Sequence, residues 1–104
     1  MNGTPAWSLQ DFLPRLDAWV SRENPTDELR VHVTRWIFTR MQDPMSYARR
    51  AAGFEDLWQA VVPDSEHFDD HLQRCAVICL YWIDVPNRVA RCDGFASLSL
   101  PIDP

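Results

Sequence analysis

The stretch "CAVICLYWID" at positions 75–84 decides the fold, because it is the strongest strand signal in the chain. It is almost continuously apolar and rich in β-branched and aromatic residues. Such a run is typical of a central strand that is buried, at least in part, on both faces of its sheet. The sequence therefore predicts a sheet built around this segment.

A hairpin is predicted directly after this strand. "VPNR" occupies 85–88, where Pro86 and Asn87 suit the two central positions of a tight turn. "RVARCDGFASLSL" at 88–100 then predicts a partner strand that bends at Asp93-Gly94. We expect the two strands to pair in antiparallel fashion.

The N-terminal part of the chain has helical spacing instead. In "SLQDFLPRLDAWVSR" at 8–22, six apolar residues fall on one helical stripe. Ser8 and Asp11 resemble a capping box, with Asp in place of the usual Glu. Pro14 removes one intrahelical donor, which predicts a kink or a short first turn.

A second helix is predicted from the "NPTDEL" segment onward. Asn24 suits the N-cap and Pro25 the first helical position. Val31 and Phe38 suggest a second buried edge beside the main stripe, and Asp43-Pro44 ends the helix. The main apolar stripe comprises Leu29, Val33, Trp36, Ile37 and Met41.

The order of elements predicts the fold class. The segment 43–54 forms either a short third helix or an irregular connection, and "LWQAVV" at 57–62 predicts a first strand that Pro63 ends. Two helices followed by three strands indicate an α+β fold, with two N-terminal helices packed on a three-stranded antiparallel meander. At 104 residues the chain is expected to form a single domain over 1–104.

Composition places the protein among globular chains, with 46% hydrophobic and 24% charged residues. No apolar run approaches the roughly 18–20 residues that a membrane span requires. The first residues lack the basic and apolar segments of a signal peptide, so a cytoplasmic location is expected. The three cysteines are then expected to be reduced and mostly buried thiols.

The charge distribution favours a protein partner. The net charge is −5, and all ten basic residues are arginines. An acidic chain lacks the basic surface that general nucleic-acid binding requires. Five arginines form either a phosphate- or RNA-binding patch or a solvated, salt-bridged surface. They are Arg49 and Arg50 on the connection from helix to strand, and Arg74, Arg88 and Arg91 near the predicted sheet.

One segment has the spacing of metal ligands. In "EHFDDHLQRC" at 66–75, His67, His71 and Cys75 follow one another at intervals of four residues, which places them on one face if the segment is helical. The hypothesis is a small metal-binding protein that uses these three residues, with zinc as the cofactor. The alternative is a polar connection between two strands, in which Cys75 points into the sheet, and no cofactor is bound.

Several short motifs resemble a known family. Asp43-Pro44 breaks the chain after the second helix, Leu57-Trp58 begins a strand, and Tyr81-Trp82-Ile83-Asp84 ends the central strand. Over residues 25–98 this progression resembles the RelE/ParE superfamily of small bacterial toxins. The resemblance implies the fold and an alternative function as the toxin of a toxin–antitoxin pair that acts on RNA or a topoisomerase. It transfers no catalytic residue to this chain.

No nucleophile or phosphate-binding motif supports an enzymatic function. There is no "GxSxG" turn, and glycine occurs only three times, which excludes a glycine-rich phosphate loop. We therefore expect a small protein-interaction module rather than an enzyme, because the sequence contains none of these catalytic motifs. Exposed strand edges suggest peptide binding by β-augmentation, or a homodimer through a strand edge.

Overall fold

The computed structural model describes residues 6–101, which form two helices and one mixed sheet. In chain order the elements are β1 (Ser8–Gln10), α1 (Phe12–Glu23), α2 (Asp27–Thr39), β2 (Arg49–Arg50), β3 (Leu57–Val61), β4 (His67–Phe68), β5 (Arg74–Asp84) and β6 (Val89–Ser99). The strand order is β1-β6-β5-β3-β2, with β4 paired to the start of β5. Because β1 runs parallel to β6 and the sheet has six strands, the α+β class is confirmed but the three-stranded antiparallel meander is wrong.

The predicted hairpin is present between β5 and β6. The Arg88 N–H donates to the Val85 carbonyl at 3.1 Å, which closes the tight turn. The pairing register shifts between Leu80 and Tyr81, and this leaves Asp93 of β6 without a partner in a β-bulge. The bulge confirms the bend expected near this position.

The start of α1 differs from the prediction. Ser8 lies in β1, paired with Val89 of β6, so it does not cap the helix. Asp11 adopts a left-handed conformation with φ of 64° and makes no side-chain cap, so the capping box is wrong. Because α1 begins at Phe12, Pro14 lies in the first turn of the helix. Backbone N–H groups in that turn have no intrahelical acceptor, so proline removes no hydrogen bond there.

The start of α2 also differs. Thr26, rather than Asn24, is the N-cap, since its Oγ1 accepts from the Leu29 N–H at 3.1 Å. Asn24 instead ends α1 with a left-handed φ of 48°. Val31 and Phe38 are exposed, so the second buried edge of α2 is wrong. The main stripe is buried from Leu29 to Ile37.

The connection from α2 to β2 is irregular, and no third helix forms there. Two buried side chains hold this connection in place. The Arg40 guanidinium lies 4.7 Å from the centre of the Trp36 ring and donates to the Ser46 carbonyl at 2.6 Å. The Tyr81 hydroxyl donates to the Pro44 carbonyl at 2.6 Å. Both side chains thus tie the connection to the core.

The core lies between the helices and one face of the sheet. Tyr81 is at its centre, with ring centroids 5.8 Å from Phe12 of α1 and 6.4 Å from Trp36 of α2. Trp19 packs against Phe95 at 6.4 Å. Since side chains alternate along a strand, the neighbours of Tyr81 on β5 point to the opposite face of the sheet. The helices cover only one of the two faces.

Candidate interaction surface

The sheet face opposite α1 and α2 is the main candidate site, and we call it the open face. Cross-strand pairing places Val61, Ile78 and Ala96 side by side on it, and Leu80 lies one pair further along. Val61 and Leu98 are about half exposed, at 53% and 50%. An antiparallel sheet with one solvated face normally carries polar residues there. This apolar row is therefore typical of a binding surface.

A groove of about 560 Å³ occupies the hairpin end of the open face. Trp82 and its cross-strand neighbour Arg91 line the groove together with Gln10. The Trp82 indole is held in place, because its Nε1–H donates to Asp93 Oδ1 at 3.3 Å and Phe54 packs edge-on at 5.9 Å. A fixed tryptophan beside an arginine is the combination that often dominates the binding energy of protein interfaces.

A second groove, of about 530 Å³, lies at the β2 side of the same face. Its lining includes Arg49, Gln59, Val61 and Leu98. With the Gln59 amide oxygen turned toward Arg49, the Nε and Nη2 groups of Arg49 donate to it at 3.0 Å. Tyr47 stands at the rim and is 93% exposed. The two grooves place one arginine near each side of the apolar row.

The structure divides the five predicted binding arginines between the two faces. Arg49, Arg74 and Arg91 belong to the open face, because their cross-strand partners Gln59, Phe68 and Trp82 lie there. Arg50 stacks over Trp58 at 5.3 Å, and Arg88 stacks over Trp7 at 4.9 Å. The five therefore form no single patch. The alternation of side chains along β2 and β6 determines which face each arginine occupies, but it can be applied only once the strand positions are known.

The segment 66–75 is not a helix, so the spacing of four residues does not place His67, His71 and Cys75 on one face. His67 lies in β4 directly opposite Cys75 of β5. Its Nδ1 donates to the Ser65 carbonyl at 2.8 Å, which leaves Nε2 as the acceptor from Ser97 Oγ at 3.1 Å. Both ring nitrogens of His67 are thus engaged within the protein.

His71 lies apart from this pair, in an exposed turn. Asp69 organises the turn, since its Oδ1 accepts from the N–H groups of His71 and Gln73 at 2.8 and 2.9 Å. The hydrogen bond from Gln73 is the main cause of the lowered pKa of the Asp69 carboxyl. Within residues 6–101, no three His, Cys, Asp or Glu side chains are arranged to hold a metal ion. The structure favours the polar connection between strands.

The three cysteines are buried free thiols, as predicted. Burial raises the pKa of the Cys75 thiol, and the neighbouring Asp69 carboxylate adds to the effect. Burial also raises the pKa of Cys79 well above its ordinary value, and its Sγ lies 3.8 Å from that of Cys92. Because the thiolate is the reactive form, Cys75 and Cys79 are poorly suited to nucleophilic catalysis.

One edge of the sheet, at β6, is less accessible than the open face. Beyond β1, the outer edge of β6 is capped by α1 side chains: Arg22 Nη2 donates to the Phe95 carbonyl at 2.6 Å, and Glu23 Oε2 accepts from the Ser97 N–H at 3.3 Å. A strand added at this edge has to displace both side chains. Such capping is a common protection against edge-to-edge pairing. β-Augmentation and an edge-mediated homodimer stay predictions.

Comparisons with protein-family models, with curated proteins and with solved structures found no match to this chain. In the part of the chain that the structure describes, no helix is long and apolar enough to cross a membrane.

Proposed function

We propose that this protein is a small, non-enzymatic interaction module that binds another protein through its open face. The observation that supports the proposal is the apolar row of β3, β5 and β6, which α1 and α2 leave uncovered. Its accessible members include Val61 and Leu98. Burying such a surface stabilises a complex by roughly 25 cal/mol for each Å² of apolar area removed from water.

The composition of the surface also fits a protein partner. Trp82 and Arg91 lie at one end of the row, and tryptophan and arginine are enriched among the residues that dominate interface energies. A protein interface typically combines an apolar centre with a polar rim, and Arg49 and Gln59 supply such a rim at the β2 side. Both grooves are open to solvent on one surface, which favours docking over turnover of an enclosed substrate.

The test uses two substitutions at apolar residues of nearly equal exposure. Leu98 on the open face is 50% exposed and Phe38 on α2 is 52% exposed. The partner is first captured by a photo-crosslinking residue placed at position 98, then purified and titrated calorimetrically against each variant. We expect Leu98→Asp to weaken binding at least about tenfold, because a carboxylate is buried against apolar groups, whereas Phe38→Asp leaves binding unchanged.

Thermal melts of both variants establish that they are folded. Equal weakening by the two substitutions, or weakening by Phe38→Asp alone, contradicts the proposal. The proposal is also contradicted if a partner binds 1:1 and its affinity is unchanged by Leu98→Asp.

The toxin alternative stays a prediction that rests on the sequence resemblance. It requires growth arrest when the protein is expressed, and relief of that arrest by a cognate antitoxin. Normal growth under strong induction counts against it. The metal alternative requires near-stoichiometric zinc in the purified protein and its loss in His67→Ala.

A further inference from the structure

We infer that a cleft at the junction of α1 and α2 binds a small organic cation, one that carries a protonated amine together with a neutral oxygen acceptor. The cleft has a volume of about 460 Å³, which is within the usual range for small-ligand sites. It lies between the helix junction and the turn after β4, at the end of β5 that is remote from the hairpin. We call it the junction cleft, and its lining includes Trp19, Arg22, Glu23, Thr26, Asp69 and Asp70.

The floor of the junction cleft contains a buried donor that the protein leaves unsatisfied. Trp19 is fully buried, and its Nε1–H has no hydrogen-bond acceptor among residues 6–101. An indole N–H can only donate, and buried polar groups in proteins almost always have a partner. Because Trp19 lines the cleft, an oxygen atom of a ligand bound there can supply the acceptor.

Thr26 adds a second neutral donor to the same cleft. As the N-cap of α2, its Oγ1 accepts from the Leu29 N–H at 3.1 Å. This bond uses a lone pair of the hydroxyl and leaves its O–H able to donate to a ligand. A carbonyl oxygen has two lone pairs, so it is the kind of acceptor that suits these donors. The ligand is therefore expected to carry such an oxygen.

The charged side chains of the cleft select a cation. Arg22 is the only arginine among the described residues of the lining, and its Nη2 lies 3.8 Å from Glu23 Oε2, so these two charges offset each other. Asp69 accepts from the neutral N–H groups of His71 and Gln73, which leave its negative charge in place. Asp70 makes no hydrogen bond or ion pair with any residue in 6–101. With its histidines neutral, the cleft thus carries two negative charges that no guanidinium neutralises.

The two helix ends at the cleft do not change this sign. α1 ends at Glu23 and α2 begins at Asp27, so the negative end of one macrodipole lies beside the positive end of the other. Their effects oppose each other, and the carboxylates of Asp69 and Asp70 decide the potential. A protonated amine is attracted to this potential, whereas a carboxylate or phosphate ligand is repelled by it.

The experiment titrates the ¹⁵N-labelled protein with leucinamide at pH 7, where an α-amino group is mostly protonated. Binding is followed through the indole N–H signal of Trp19, assigned by its contacts to the Phe95 ring. We expect a saturable shift of this signal and of the amides that line the cleft. The Trp82 indole is the internal reference, because its Nε1–H already donates to Asp93 and should not shift.

Two analogues of leucinamide separate the two parts of the ligand. N-Acetylleucinamide keeps the amide oxygen but has no charge, and 3-methylbutylamine keeps the charge but has no oxygen. Each is expected to bind at least about fivefold more weakly than leucinamide, the first because it loses the attraction to the carboxylates and the second because it leaves the Trp19 donor unpaired. The affinity of leucinamide should also fall as sodium chloride rises.

A matched pair of substitutions tests the charge of the cleft. Asp70→Asn removes one carboxylate with little change of shape and is expected to weaken leucinamide binding at least about threefold. Asp17→Asn, at an exposed acid of α1 that does not line the cleft, is expected to leave the affinity unchanged. Thermal melts establish that both variants are folded.

Three results overturn the inference. One is an indole signal of Trp19 that does not move with leucinamide. Another is N-acetylleucinamide binding as tightly as leucinamide, and the third is an equal effect of Asp17→Asn and Asp70→Asn. The proposed function is tested separately, because Leu98 and the apolar row of the open face do not line the junction cleft.

Discussion

The two faces of the sheet carry apolar residues for different purposes. On the helix-covered face, Tyr81 is fully buried against Phe12, and Phe95 packs against the fully buried Trp19 of α1. On the open face, Leu98 and Val61 retain about half of their accessible surface although they lie on the same strands as the core residues. The contrast shows that hydrophobic content in a strand does not by itself indicate a core. Which face the helices cover decides which residues stabilise the fold and which are available for binding.

The largest effect is expected from truncating the covered face. Trp19→Ala should lower the free energy of unfolding by about 4 kcal/mol, because it removes a fully buried indole and leaves a cavity. Trp82→Ala, at the half-buried indole of the open face, should cost clearly less. Urea denaturation followed by circular dichroism measures both values. Equal losses contradict the distinction between the faces.

A smaller loss of stability is expected when the Tyr81 hydroxyl, at the centre of the core, is removed. Tyr81→Phe removes the hydrogen bond to the Pro44 carbonyl and leaves that acceptor without this donor, so a loss of about 1–2 kcal/mol is expected. Amide hydrogen exchange should become faster in the connection from α2 to β2. Tyr47→Phe is the control, since Tyr47 is almost fully exposed. An unchanged exchange rate in this connection disproves the anchoring role of Tyr81.

Because of the same hydroxyl, we expect the free energy of unfolding to depend on pH in the alkaline range. Burial raises the pKa of Tyr81 to about 12, above its ordinary value of 10. The unfolded chain therefore loses the Tyr81 proton at lower pH than the folded chain does. The contribution of this hydroxyl to the free energy of unfolding is complete below pH 10 and is lost as pH rises from 10 toward 12. At pH 10.5 the loss should be below about 1 kcal/mol. Urea titrations at pH 8 and 10.5 should show a smaller loss in Tyr81→Phe, and an equal loss in both proteins rules out Tyr81 as its source.

The smallest effect is expected on the open face. Leu98→Ser should change the free energy of unfolding by less than about 0.5 kcal/mol, because half of this side chain is already in water. Phe95→Ser, on the covered face of the same strand, is the destabilising counterpart. Denaturation midpoints of the two variants give the comparison. A large loss in Leu98→Ser indicates that the open face contributes to folding.

Sequence patterns predicted the three long strands well, because each has a hydrophobic run long enough to identify it locally. β1, β2 and β4 were not predicted, since strands of two or three residues exist only through their partners. The same limit affected Ser8, which looks like a helix cap until β6 lies beside it. No local sequence pattern predicts the burial of Trp7 either. Arg88 stacks over its ring, and its backbone N–H donates to the Met41 carbonyl.

The candidate site was predicted only in part. All five arginines were binding candidates in the sequence, and the structure places Arg49, Arg74 and Arg91 on the open face but Arg50 and Arg88 toward the other face. The apolar row was missed, because an almost continuous apolar strand predicts burial on both faces. No pattern in β5 alone distinguishes a covered face from an open one.

The amino-acid sequence by itself determined the α+β class, the central strand with its hairpin, and the buried state of the thiols. These follow from local periodicity, turn chemistry and composition, which act over a few neighbouring residues. Only the tertiary structure decided the six-stranded mixed sheet, the separation of the arginines and the open face. Those features depend on strand pairing and on where two helices dock, and both are set by contacts between residues far apart in the chain.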